Sequence, residues 1–173
     1  MKITPEIPDV EATAGKKIAV AVGHNRFTGS TGTDFLSVAF VVLHSKDEDK
    51  GAIHVERFPL IEKAAWRLAQ WAGATGYLKD FDVSVDDDVE KIMSVGPLII
   101  DLVEDNYNNR TRLQVKKFTP YRGPSQNEWE QIGAAGENKW ASILEGMQSR
   151  LTAGSASGNR STNVTTTADD IPF

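Results

Sequence analysis

The spacing of apolar residues changes period twice along this chain, and that alone restricts the fold more than any other feature. Gly15–His24 alternates, with Ile18, Val20 and Val22 on one side and Lys17, Ala19, Ala21 and Gly23 on the other. Asp34–His44 (DFLSVAFVVLH) is apolar and β-branched almost throughout, and Ala52–Leu60 alternates again. A period of two marks strands, and a continuous β-branched run marks a strand covered on both faces. From Ile61 the spacing becomes helical: Ile61, Ala64, Ala65, Leu68, Trp71 and Ala72 recur on one side, with Gly73 and Gly76 to stop the run. Ser84-Val85-Asp86-Asp87-Asp88 opens a short second helix reaching about Ser94. Pro97–Asp105 and Arg110–Thr119 then form a hairpin around Asn106–Asn109.

Three strands, a helix and two strands is the order of the five-stranded OB-fold, a Greek-key barrel with its helix between strands three and four. The expected class is therefore mainly β with helices. Residues 15–121 form the expected OB-fold domain, after an N-terminal arm of residues 1–14. Residues 122–151 form a helical extension in which Trp140, Ile143, Leu144, Met147 and Leu151 share a helical face. That face suits either packing on the barrel or contact with a second copy or partner. Thr152–Ala168 is 17 residues of mostly Gly, Ser, Thr, Ala and Asn with Arg160 as the sole charge. Too little apolar area is available there to offset the entropy of ordering, so a flexible linker is expected, spanning roughly 20–25 Å end to end.

Net charge is −5 and cysteine is absent. The first excludes a uniformly basic DNA packer. The second excludes disulfide scaffolds, thiol nucleophiles and Cys-ligated metals. The N-terminal residues lack the apolar core of a secretory signal, and no apolar run is long enough to span a bilayer. A cytoplasmic protein with no membrane partner is expected.

Chemistry concentrates in the last strand. From Asn106 to Gly123 there are five basic residues (Arg110, Arg112, Lys116, Lys117, Arg122) and no acid, with Tyr107, Phe118 and Tyr121 among them. Alternation puts Arg110, Arg112, Gln114, Lys116 and Phe118 on one side. Single-strand binders need such a mixture, because cations follow phosphates while rings stack on bases regardless of sequence. Arg26 and Phe27 in the expected first loop (residues 25–32) join the candidates, as do Lys17, Phe35, Arg57 and Phe58. The small Ala19, Ala21 and Gly23 are assigned to an outer face with room for a strand to lie. Six acids between residues 80 and 90 dominate the balance locally, so one face can still be positive.

Catalytic alternatives fit poorly. Asp86-Asp87-Asp88 reads as acids at a helix start, which satisfy free N–H groups and the dipole. Gly29-Ser30-Thr31-Gly32-Thr33 lacks the Lys-Ser/Thr of a P-loop and precedes a strand. His24, His44 and His54 have no metal-ligand spacing. No enzyme activity, cofactor or metal is expected.

The C-terminal Asp169-Asp170-Ile171-Pro172-Phe173 resembles the acidic tip of bacterial-type single-stranded DNA-binding proteins, which typically ends in these residues after a similar linker. Residues 15–121, with Thr-Asp-Phe-Leu-Ser-Val at 33–38, also resemble phage-encoded OB-fold single-strand binders. The aromatic groove pattern of the bacterial housekeeping protein is not matched, so only the tip's role transfers. The resemblance implies a protein that coats and protects single-stranded DNA in replication, recombination and repair. It also implies that Asp169, Asp170, Ile171, Pro172 and Phe173 dock on replication and recombination proteins in a bacterial host cell. Homodimers or cooperative arrays fit, since one groove covers only ~4–16 nucleotides. The competing readings are a recombination mediator or replisome adaptor whose barrel mainly binds protein, and a Mg²⁺-dependent nucleic-acid enzyme using the 80–90 acids.

Overall fold

The computed structural model describes residues 10–121, 136 and 139–141. Five strands, β1 (Gly15–Thr28), β2 (Asp34–Ser45), β3 (Ile53–Pro59), β4 (Leu98–Tyr107) and β5 (Arg110–Pro120), form one antiparallel sheet in the order β3-β2-β1-β4-β5. A 3₁₀ turn (Glu62–Ala64) leads into α1 (Ala65–Thr75), and α2 (Asp86–Met93) precedes β4. The fold is mainly β with two short helices, in the expected order. α1 continues through Gly73 and ends at Gly76, which adopts φ 97° and donates its N–H to the carbonyls of Ala72 and Gly73. Only glycine takes that left-handed position without strain.

β1 runs four residues past its expected end, so the first loop shrinks to a tight turn over residues 29–33. There the Gly29 N–H bonds the Thr33 carbonyl (2.8 Å) and the Gly32 N–H bonds Gly29 (3.0 Å). The β4–β5 hairpin turns on Asn108 (φ 50°) and Asn109 (φ 61°), two consecutive left-handed residues as a type I′ turn demands. Beyond Leu102, where pairing with β1 stops, this hairpin continues as a two-stranded ribbon.

The main core lies between the sheet and the helices. Phe58 stacks on Trp71 (5.6 Å between centroids) and on Phe118 (5.8 Å), and Phe40 meets Trp71 edge-on (6.2 Å). Leu36, Val38, Ile92, Leu98, Ile100, Leu102 and Val115 fill the space around them. Each large side chain so buried contributes roughly 1.5–3 kcal/mol.

Ala19 and Ala21 belong to this inner core, whereas Val20 and Val22 point to the opposite, outer face. The expected faces are therefore reversed over residues 18–22, while Gly23, past the irregularity at Ala21/Gly23, lies on the outer face as expected. Larger side chains need not face the main core here, because the outer face of β1 and β2 is itself apolar and covered. Val20, Val22, Ala39, Val41 and Leu43 pack there against Trp140, and residues 136 and 139–141 are helical. β2 is thus buried on both sides, as its unbroken apolar run predicts.

No backbone ladder joins β3 to β5 in the sheet, although β3, β1 and β5 all run parallel to one another. The seam between them is bridged by side chains. Glu56 on β3 accepts the Val115 N–H (3.0 Å), and Arg67 on α1 bonds both Glu56 (2.6 Å) and the Val115 carbonyl (2.8 Å). One helical turn on, the Gln70 side-chain oxygen accepts the Phe118 N–H (3.1 Å). Buried backbone groups at a strand edge need partners. α1, lying against β5, supplies them.

Lys17 explains how the arm is fastened. Its ammonium, withdrawn from solvent, contacts Asp47 (2.6 Å), Asp49 (3.0 Å), the Thr13 hydroxyl (3.0 Å) and the Ser45 hydroxyl (3.1 Å). Burial raises the Asp49 carboxyl, yet bonds from Ser45, Thr13 and Lys17 outweigh it and hold the group below its ordinary value. Lys17→Met strands the buried Asp49 carboxylate. The expected loss is about 3 kcal/mol of unfolding free energy in urea, at the low end for a broken buried pair because Asp47 is half exposed.

Candidate nucleic-acid interface

On the outer face, strand register lays side chains out in rows. Phe27 of β1 is opposite Phe35 of β2, which is opposite Pro59 of β3. The next row is Asn25, Ser37 and Arg57, and the one after is Gly23, Ala39 and Val55. Side chains two residues apart on a strand share a face, so all three rows look outward, about 6.6–6.8 Å apart. In the first row the rings of Phe27 and Phe35 are stacked, 5.1 Å between centroids and 7° from parallel. The Arg57 guanidinium carbon lies 6.0 Å from the Phe27 centroid. Phe35 is buried beneath its neighbours, while Phe27 and Arg57 remain half exposed. The arrangement is a supported aromatic ring with a cation beside it, next to the turn at residues 29–33.

The basic strand is arranged differently from its sequence pattern. Along the ribbon Arg110, Arg112 and Gln114 do share one face. A bulge then intervenes: Leu102 pairs with Val115 but Asp101 pairs with Lys117, leaving Lys116 as the extra residue. Lys116 and Lys117 are both exposed, and Phe118 returns to the core. Lys117, counted among the basic residues but assigned by alternation to the opposite side, is as exposed as Lys116. Arg112 lies 3.5 Å from the Asp105 carboxylate across the ribbon. Across the seam the Val115 N–H is bonded by the Glu56 side chain, so the start of this bulge faces β3. Phe27, Phe35 and Arg57 thus form one cluster on β1–β3, and the exposed Lys116 and Lys117 lie on β5.

No protein-family model matches this chain, and no curated protein matches it.

Four predicted contacts are corrected by position. Phe58 and Phe118 are core rings, about 1% and 3% exposed, and present no face to a base. Lys17 is about 1% exposed and committed to Asp47 and Asp49. Arg26 faces away from Phe27 and anchors α2, bonding the Val83 carbonyl through Nε (2.9 Å) and the Asp86 carboxylate through Nη1. That bond and charge hold the Asp86 carboxyl below its ordinary value. Asp86 therefore acts as a latch for α2, whose N-cap residue Val85 makes no side-chain cap. Arg110 is exposed and Tyr121 half-buried. Tyr107 closes β4 opposite Arg110 in register. Arg122 and Asp169–Phe173 lie outside the described residues. Arg67 and Gln70, which seal the seam, were not singled out by any sequence signal.

Among the described residues no group of three His, Asp or Glu side chains is arranged to hold a metal. No described helix is long and apolar enough to cross a membrane.

Proposed function

We propose that this chain is a non-enzymatic, OB-fold-type single-stranded DNA-binding protein that coats and protects DNA in phage replication and recombination. Its tip, Asp169–Phe173, recruits partner proteins. The observation that carries this reading is the stacked Phe27–Phe35 pair with Arg57 beside it on the outer face of β1–β3. In OB-folds the face of strands two and three and the adjoining loops bind oligonucleotides. A ring held flat by a second ring meets a base without first losing side-chain entropy, and Arg57 supplies cation–π and phosphate attraction at the same point. The sheet order and the placement of α1 across the β3–β5 seam support a barrel of this type. Lys116, Lys117, Arg110 and Arg112 extend the cationic track along β5. The resemblance of the final five residues supports the recruiting role, with Ile171 and Phe173 entering an apolar pocket and the acids pairing with basic residues around it.

Fluorescence anisotropy with labelled oligo-dT, and with duplex of equal length, tests this. Expected is preferential binding to the single strand, weakened by salt, and equal or tighter in a chain ending at Ala168. Failure of both chains to bind would overturn the proposal and favour a barrel that binds protein.

A further inference from the structure

Midway along the outer face, β1 carries Gly23 where Asn25 and Phe27 carry side chains on the same side. The missing side chain leaves a gap beside Ala39 and Val55, and the indole of Trp140 fills it. A Cβ built on Gly23 would overlap that ring, and one on Gly136, a helical turn before Trp140, would overlap Val41. Glycine thus stands on both sides of the contact, on the strand and on the helical segment. Trp140 is only about 6% exposed in this position. One row away lie Asn25, Ser37 and Arg57, and two rows away the Phe27–Phe35 stack.

We propose that the Gly23 gap is a nucleobase site, held in the DNA-free protein by Trp140 and vacated when a bound strand extends past Phe27. This rests on reading the outer face as the single-strand interface. The gap accepts a planar aromatic bicycle against bare backbone, which is the shape of a purine and encloses a pyrimidine. It lies on the same face as the proposed stacking ring, so a strand crossing Phe27 and Arg57 toward β1's centre meets it next. Occupation in cis reduces apparent affinity by the fraction of molecules in which the gap is open.

The test uses the full-length chain labelled with 5-fluorotryptophan, with the Trp140 ¹⁹F resonance assigned by its loss in Trp140→Leu. Leucine keeps apolar cover over Val20 and Val41 but removes the flat ring. Oligo-dT is expected to shift the Trp140 resonance to a solvent-exposed position, while an abasic strand of equal length leaves it in place. Trp140→Leu is expected to bind oligo-dT about tenfold tighter. Gly23→Ala, whose methyl displaces the indole and also fills the gap, is expected to expose Trp140 without any gain in affinity. A Trp140 resonance unmoved in the DNA-bound protein overturns the inference and leaves the proposed function standing. Weaker binding by Trp140→Leu overturns it too, by making Trp140 a contact. No binding of oligo-dT by any of these proteins overturns both.

Discussion

Replacing Glu56 with alanine should lower folding stability by about 3–5 kcal/mol, measured as a fall in the urea midpoint at neutral pH. The side chain is buried and has three partners to lose: His54 Nε2 at 2.7 Å, Arg67 at 2.6 Å and the Val115 N–H at 3.0 Å. Alanine leaves the Arg67 guanidinium without its carboxylate and the Val115 amide without its acceptor. A whole domain of this size is stable by only about 5–15 kcal/mol, so the variant should approach the threshold of folding. Glu56→Gln keeps an acceptor for Val115 and should cost clearly less. Acid should expose the same group. Burial by itself raises the Glu56 carboxyl, but the His54 hydrogen bond and charge, the Arg67 charge and the Val115 N–H outweigh it. They hold the group below its ordinary value of 4.5. Folding therefore favours the ionised form. Its contribution is complete above about pH 4.5 and is lost as pH falls through the lower folded value. Stability plotted against pH should accordingly fall less steeply on the acid side in Glu56→Gln than in the parent.

Phe27→Ala should weaken oligo-dT binding roughly tenfold to a hundredfold, in line with ~1–3 kcal/mol per stacked base. Unfolding should change little, because Phe27 is half exposed and the ring beneath it stays in place. Arg57→Ala should weaken binding and also flatten its dependence on salt by about one ion, which a purely steric effect would not do. Phe58→Ala and Phe118→Ala should behave oppositely, losing about 3–5 kcal/mol of stability through cavities around Trp71. Equal affinity for Phe27→Ala and the parent, measured by anisotropy on folded protein, would remove the outer face from consideration.

Much of this architecture was legible because it depends on period. A strand in a half-buried sheet must alternate, a helix on its flank must repeat every three or four residues, and both patterns were intact from Gly15 to Thr119. Which face was which proved less legible. Register shifts at Ala21/Gly23 and Asp101/Leu102 each turn the remainder of a strand over. Phe118 was carried onto the wrong side by the last of these. Phe35 and Phe58 look alike in sequence, and only the tertiary arrangement sends one to the outer face beside Phe27 and the other to Trp71. Lys17 and Arg26 failed as candidates for another reason: their carboxylate partners are 30 and 60 residues away. Nothing local announces such pairs. Arg67 was invisible in the same way, as the only charge in a helix whose buried side otherwise reads as apolar.

The seam has a consequence for the order in which this chain assembles. Neighbouring strands β1–β2, β2–β3 and β4–β5 are joined by short connections and close at little entropic cost. Glu56 and Val115 are 59 residues apart, and beside their direct bond stands the Arg67 guanidinium, bonded to both and in place only when α1 is docked. Side-chain bridging of β3 to β5 is thus expected at the end of folding, after the hairpins and helix exist, among the non-local contacts that slow β-rich chains. In the reverse direction, the same site is where opening would begin. A ladder of backbone bonds frays one rung at a time, whereas a clasp of the side chains Glu56, Arg67 and Gln70 releases both edges together.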